Sequence, residues 1–282
     1  MKNILITGAN GLIGTYLTKR LNEEKDFKIN KIDRSFGDIS QEKTWKNFPV
    51  CDLVIHLAAK ILISESRNDP NKFLDTNVNS TVLALDYCKK NKSKLIFLSS
   101  YLYDSNKISK PNKDKIPEPA NAYILSKKIS EEKCKFYFDN YGVNTLILKP
   151  SNVYGAGQDK NFLIPSILNQ IESSNIINVN NLKTKRDFIY VKDLIEAIFK
   201  AINLERKFET ITIGNGRSYS VKEVIEIVQK IKGTNLEVKS KEKIHKDEML
   251  DIYVDTSKAK KIINWVSKWS LEEGIRDSYE SK

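Results

Sequence analysis

Tyr123 and Lys127 stand four residues apart in a stretch, 122–141, whose pattern predicts an amphipathic helix. Residues at that spacing lie one above the other on a single helix face. A free tyrosine, with a pKa near 10, is too weak a base for neutral pH. An ammonium one turn away favours the phenolate. Such a pair can give or take a proton at an alcohol or ketone oxygen. Tyr-x-x-x-Lys also occurs on many solvated helices, so its meaning depends on the elements that surround it.

Residues 2–7 form a short apolar run suited to a buried parallel strand. Gly8-Ala-Asn10-Gly11-Leu12-Ile13-Gly14 follows, and then apolar residues at helical spacing. Strand, tight glycine turn and helix N-terminus together make an anion site, with free N–H groups and the helix dipole facing a phosphate. The Gly-x-x-Gly-x-x-Gly spacing is a variant of the dinucleotide fingerprint. A second strand, about 27–32, ends at Asp33, where a carboxylate can accept from a ribose 2′-OH and repel a 2′-phosphate. Arg34 beside it points the other way, since an arginine there can hold a 2′-phosphate. Gly37-Asp38-Ile39 opens a loop and a short helix around 41–47.

A third strand, 53–57, is followed by Ala58 and Ala59, and His56 inside it reads as a satisfied core residue. Residues 60–69 read as a polar, irregular substrate loop, and 70–90 as a helix containing Asn77. A fourth strand, 94–98, runs into Ser99-Ser100-Tyr101-Leu102-Tyr103, and a fifth, 145–148, into Lys149-Pro150-Ser151-Asn152. Ligands of open parallel sheets bind beyond such strand ends. Between them, 104–121 with Pro111, Pro117 and Pro119 reads as a surface loop. From about 156 the elements become shorter: a helix near 161–172, strands near 177–179, 187–190 and 210–213, and helices at 191–202, 221–231, 258–263 and 271–279. Strands alternating with helices imply an α/β, doubly wound parallel sheet over 1–155. A smaller mixed region is expected over 156–282, some of whose elements return to the first.

Composition bounds the alternatives. Of the 282 residues, 40% are hydrophobic and 29% charged, the balance of an ordinary globular protein. No apolar run suits a signal peptide or a membrane span. Three widely spaced cysteines, Cys51, Cys88 and Cys134, read as buried free thiols of a reducing compartment, so a cytoplasmic protein is expected. The net charge of +11 is spread over lysines assigned to exposed helix positions (Lys89, Lys90, Lys92, Lys94, Lys239, Lys241, Lys243) without interleaved aromatics. That argues against a nucleic-acid surface. His245 takes no role.

In this order the motifs resemble those of the extended short-chain dehydrogenases/reductases, the NAD-dependent epimerase/dehydratase group that acts on nucleotide sugars. The resemblance spans essentially the whole chain. It rests on Gly8-x-x-Gly11-x-x-Gly14, His56-Leu57-Ala58-Ala59, Asn77-Val-x-x-Thr81, Ser99-Ser100 with Tyr103, Tyr123-x-x-x-Lys127, Pro150-Ser-Asn-Val-Tyr-Gly155 and Arg186-Asp-Phe-Ile-Tyr-Val-x-Asp193. It implies a Rossmann-type fold and Tyr123 as general acid/base, with Lys127 lowering its pKa and holding the nicotinamide ribose. Counting back from Tyr103 puts the catalytic hydroxyl at Ser99, with Ser100 as its neighbour. The cofactor is expected to be NAD, with NADP as the alternative. Its pyrophosphate end would meet Gly8, Asn10, Gly11, Leu12, Ile13 and Gly14. Its adenosine end would meet Asp33, Arg34, Asp38 and Ile39. Leu57, Ala58, Ala59, Asn77 and Pro150 complete the cofactor site. A nucleotide-diphosphate sugar would meet Ser100, Tyr101, Asn152 and Arg186. The resemblance also implies a homodimer through a four-helix bundle, which Ile129, Phe136 and Tyr137 could support, although the same residues could equally serve the core.

Departures narrow the reaction. The 4,6-dehydratases of the group carry Asp-Glu after the catalytic hydroxyl; Ser100-Tyr101 stand there in this chain, which disfavours dehydration. Asp104 replaces a usual glycine, and 245–251 lacks an arginine that often reaches the nucleotide phosphates. A 4-epimerase is the first expectation and a 4-ketoreductase the alternative. A non-catalytic NAD(P)-binding regulator, which has no need of Ser, Tyr and Lys together, comes last.

Overall fold

The computed structural model describes residues 1–103, the backbone of 108–109, 121–243 and 249–281. Asp104, the three loop prolines and His245 lie outside the described residues. The first elements are β1 (Lys2–Thr7), α1 (Leu12–Asn22), β2 (Phe27–Ile32), α2 (Glu42–Trp45), β3 (Leu53–His56), α3 (Ile63–Asn68) and α4 (Pro70–Asn91). Then come β4 (Lys94–Leu98), β5 (Ile108–Ser109), α5 (Ala122–Tyr141), β6 (Thr145–Pro150), β7 (Asn152–Tyr154) and α6 (Leu163–Ser173). The remainder is β8 (Ile176–Val179), β9 (Lys185–Tyr190), α7 (Val191–Ile202), β10 (Phe208–Ile213), β11 (Ser218–Ser220) and α8 (Val221–Lys232). β12 (Glu237–Ser240), β13 (Asp251–Val254), α9 (Ser257–Ile263) and α10 (Leu271–Glu280) follow.

Six parallel strands form the main sheet in the order β10-β6-β4-β3-β1-β2. The chain steps outward from β1 to β2 and then crosses back to β3, so strand order reverses between β1 and β3. Register aligns the strand ends there: Thr7 pairs with both Ile32 and His56. Gly8, Asp33 and Leu57 therefore leave the sheet side by side on one rim, at the switch point where such sheets bind ligands.

Alternation along the strands separates two cores. Ile4, Ile6, Leu53, Ile55, Leu146 and Leu148 face α1 and α7, whereas Leu5, Val54, Leu95, Phe97 and Ile147 face α4 and α5. Cys51, Cys88 and Cys134 all belong to the second core, as free and buried thiols. Strands apolar on both faces read as continuous runs, which is why the sequence marks them.

β9 organises the other sheet: β7 and β13 pair with it in parallel and β11 antiparallel. Asp187 within β9 is fully buried and accepts from Ser151 Oγ and from the backbone N–H groups of Asn215, Gly216 and Val254. Those donors answer the burial that pushes its carboxyl upward.

Some expectations are corrected. The segment 60–69 is not wholly irregular, because α3 forms within it and Asp69 caps α4 by accepting from Lys72 N. Of the lysines assigned to helices, Lys94 begins the strand β4 with its Nζ donating to Leu204 O at 2.6 Å, Lys239 lies in β12, and Lys241 and Lys243 follow β12 outside any helix. Among the described residues no helix is long and apolar enough to cross a membrane.

Candidate active site

The glycine turn is built for close approach. Gly8 has φ +70°, and a Cβ there would meet Ala58 N at 2.9 Å; a Cβ on Gly14 would sit 2.3 Å from Gly8 O. Gly11 opens α1 without a side-chain cap, so the first-turn amides, on Leu12 and Ile13, keep their N–H groups for an anion. A dinucleotide fits this cradle. Gly14→Ala pushes α1 off the turn, at the cost of about 1–3 kcal/mol typical of overpacking. Cofactor affinity is expected to fall by about tenfold, read by titration calorimetry.

At the tip of β2, Asp33 accepts from Ser35 N at 2.8 Å, Ser35 Oγ at 2.6 Å and Asn10 Nδ2 at 2.6 Å. The two bonds from Ser35, and then that from Asn10, hold its carboxyl below the usual range. Asn10 thus ties the glycine turn to the acid. Arg34 is exposed next to it. Asp38 is oriented by Ser40 N and Oγ, and Ile39 gives its carbonyl to Trp45 Nε1.

His56 links β1, β3 and α4. Ser80 Oγ donates its proton to Asn77 O and so offers the ring only an acceptor, while Thr7 Oγ1, which takes the Ala58 N–H, donates to His56 Nδ1 at 2.8 Å. Nε2 therefore carries the ring proton and faces Ser80 Oγ at 3.3 Å. Burial first, and the Lys127 ammonium second, push its pKa down to about 3. It is a neutral core histidine that fixes the path of Leu57, Ala58 and Ala59. Asn77 is engaged by the protein on both sides of its amide. Its Oδ1 accepts from Lys60 N, and its Nδ2 donates to Lys60 O and Ser126 Oγ. It joins the loop after β3 to α5.

Asn121 caps α5 by accepting from Ile124 N, and Tyr123 and Lys127 follow on one face. The buried Lys127 Nζ donates to Leu98 O at 2.7 Å and lies 4.9 Å from the Phe97 ring centre. Burial lowers its pKa to about 8. The phenol of Tyr123 rises to about 12 instead of falling, because burial outweighs every favourable contact; the hydrogen bond with Ser100 opposes it. Ser100 stands beside the phenol, while Ser99 Oγ lies 2.7 Å from Tyr103 Oη, so both serines follow directly on β4 next to α5.

On the substrate side Asn152 donates both amide hydrogens to the protein, to Tyr101 Oη at 2.9 Å and Asp187 O at 3.2 Å. Its Oδ1 remains as an acceptor. Tyr101 is buried against Ile252 and Val254 and holds Asn152. Arg186 donates to Lys185 O and Met249 O and lines two adjoining clefts of about 140 and 420 Å³. Asn152, Gln158 and Phe162 line the smaller; Asn178, Asn181 and Lys241 line the larger. Buried polar atoms without partners stand on both walls, Gln158 Oε1 and Asn181 Nδ2. Sequence reasoning missed these two; the run Asn178-Val-Asn180-Asn181 was the available signal. Pro150 closes β6, where the chain turns into this side.

The family model described as NAD dependent epimerase/dehydratase matches residues 4–214. The chain belongs to that family. A putative UDP-glucose 4-epimerase of Methanocaldococcus jannaschii is 31% identical over 97% of this chain and 96% of its own. A GDP-6-deoxy-D-talose 4-dehydrogenase of Aggregatibacter actinomycetemcomitans is 29% identical over 90% of this chain and 89% of its own. Among solved structures, RMD from Pseudomonas aeruginosa complexed with NADPH superposes with a TM-score of 0.89 at 21% identity, over 99% of this chain and 98% of that one. As a member of this epimerase/dehydratase family, the protein is an NAD(P)-dependent enzyme of the nucleotide-sugar epimerase and reductase type.

Proposed function

We propose that this enzyme is an NDP-hexose 4-epimerase that keeps NAD through its cycle. The observation that carries the choice is Asp33, held ionised by Ser35 and Asn10 at the edge of the cradle. An ionised, pre-oriented carboxylate accepts from a ribose 2′-OH and repels a 2′-phosphate. Leu12, Ile13 and the three glycines bind the pyrophosphate, and Lys127 turns from Leu98 O to the nicotinamide ribose. Bound NAD supplies a hydride acceptor and, in the return step, a donor. Tyr123 exchanges a proton with the oxygen on sugar carbon 4, and a serine at the end of β4, Ser99 with Ser100 as its neighbour, hydrogen-bonds the same oxygen. Much of the acceleration comes from holding the reactants in register. Arg186 faces the diphosphate, and Asn152 offers Oδ1 to a sugar hydroxyl. The main-sheet half, 1–155, holds the cofactor, and 156–282 holds most of the nucleotide sugar.

Neither Ser99 nor Ser100 is followed by a carboxylate that could expel a C6 hydroxyl: Ser100-Tyr101 follow the first and Tyr101-Leu102 the second. Dehydration is disfavoured on this count too. A 4-ketoreductase is the second reading, favoured by exposed Arg34 beside Asp33. Phe136 and Tyr141, exposed on α5, fit a homodimer through the α4 and α5 face.

Denaturing the purified protein and identifying the released nucleotide separates the readings. Stoichiometric NAD or NADH supports the epimerase; an empty site with a preference for added NADPH supports the reductase. Asp33→Ser is expected to narrow the NAD preference by about tenfold, the worth of one charge-assisted hydrogen bond, read as the ratio of the two cofactor affinities.

A further inference from the structure

The larger of the two clefts beside Arg186, about 420 Å³, is lined by three cations, Arg186, Lys241 and Lys243. Among the described residues that line it, none is acidic. The arrangement starts from β8 and β12, which pair in parallel as far as Val179 and Ser240. Past that point the two segments stay joined: Lys241 N donates to Val179 O at 3.1 Å and Lys243 N to Asn180 O at 2.9 Å. Glu242 between them takes φ +48°, a left-handed conformation that residues other than glycine rarely adopt. Both lysines line the cleft, whereas Glu242 does not.

Asn181, on the same wall, adds a buried donor. It is 5% exposed, and its Oδ1 accepts from Lys183 N at 2.7 Å and Thr184 N at 3.0 Å. Those bonds fix the amide, and its Nδ2 is left without a protein partner. A buried polar atom in that state calls for an explanation. Ammonium and guanidinium groups only donate, as does the amide nitrogen. A phosphate, which only accepts and carries the opposite charge, matches all four groups.

We infer that Lys241 and Lys243, together with Arg186 and Asn181, clamp the phosphates of the nucleotide in this cleft. The segment 245–251 offers no arginine to share that load. The inference rests on the nucleotide-sugar reading above, and the test separates the two.

Titration calorimetry on the protein, with excess NAD or NADPH filling the glycine cradle, measures binding of UDP, dTDP, GDP and CDP. The tightest of the four is then compared across variants. Lys241→Gln and Lys243→Gln are each expected to weaken it by about three- to tenfold. Both lysines are exposed, so the fold should persist, and the thermal midpoint of the same samples checks it. Lys239→Gln removes the same charge from β12, at a lysine that pairs with Glu237 at 3.7 Å and does not line the cleft. Its effect should stay below about twofold, because an exposed charge away from the ligand is screened. Raising salt from about 50 to about 300 mM should also weaken the wild type more than the Lys241→Gln, Lys243→Gln double variant. Unchanged affinity in both single variants, or an equal loss in Lys239→Gln, would overturn the clamp and leave the nucleotide-sugar reading standing. If the wild type binds none of the four diphosphates, that reading falls and the clamp with it.

Discussion

Tyr123→Phe is expected to lower kcat by about 10²–10⁴-fold, the range lost with a general acid/base, while fold and bound cofactor persist. The substitution deletes one oxygen and keeps the ring, whose hydroxyl partner is Ser100. Loss of one such hydrogen bond costs about 1 kcal/mol, too little to unfold a domain of this size. Nothing in the glycine cradle, at Asp33 or along the β3 rim touches that hydroxyl, so cofactor occupancy should match the wild type. Turnover, released nucleotide and the thermal midpoint are measured on the same preparation. Retained turnover would pass the proton to another group and end the Tyr123 mechanism. Parallel loss of nucleotide and turnover would instead make Tyr123 a cofactor ligand first.

Lys127→Met carries a second large effect, with a sign fixed by pH. The ammonium is buried, and its pKa of about 8 lies below the ordinary lysine value of 10.5. Between those two values the unfolded chain binds the proton more readily than the folded one, so folding stability rises with pH across that window. Below pH 8 the cost of the buried charge is fully present; through the window it is relieved as the lysine becomes neutral. Methionine at this position has no such dependence. In cofactor-free protein, wild-type stability relative to Lys127→Met should therefore rise by about 2–3 kcal/mol between pH 8 and pH 10. Urea midpoints at the two pH values measure it, and parallel midpoints would deny a buried ammonium. With cofactor present, the loss of a charged hydrogen bond to the ribose should weaken binding by about tenfold or more. Unchanged affinity would argue against that contact.

Both variants act on residues whose pairing is visible in the sequence, and the reason is that their pairing is local. Tyr123 and Lys127 share a helix face through the helical repeat alone, and the helix that carries them was expected over the same 20 residues that α5 occupies. The glycine turn is equally local, because a strand, a turn needing φ +70° at Gly8 and a helix start follow one another directly. Buried parallel strands are apolar on both faces, so the order of the main elements could be read without the fold.

The sequence by itself thus determined the family motifs, the cofactor cradle and the helix that carries Tyr123 and Lys127. The tertiary structure alone shows how the two serines after β4 are engaged, Ser100 beside the Tyr123 phenol and Ser99 against Tyr103. The Ser99–Tyr103 bond closes over 4 residues, but its anchor Glu131 comes 28 residues after Tyr103. Asn77 is marked by its motif, but its partner Ser126, 49 residues away, is brought to it only by folding. The pKa of Tyr123 moved opposite to expectation for the same kind of reason. Spacing reveals the neighbouring charge, whereas burial depends on every element packed around the group. Hydrogen-bond direction and desolvation are set by groups that only folding brings together.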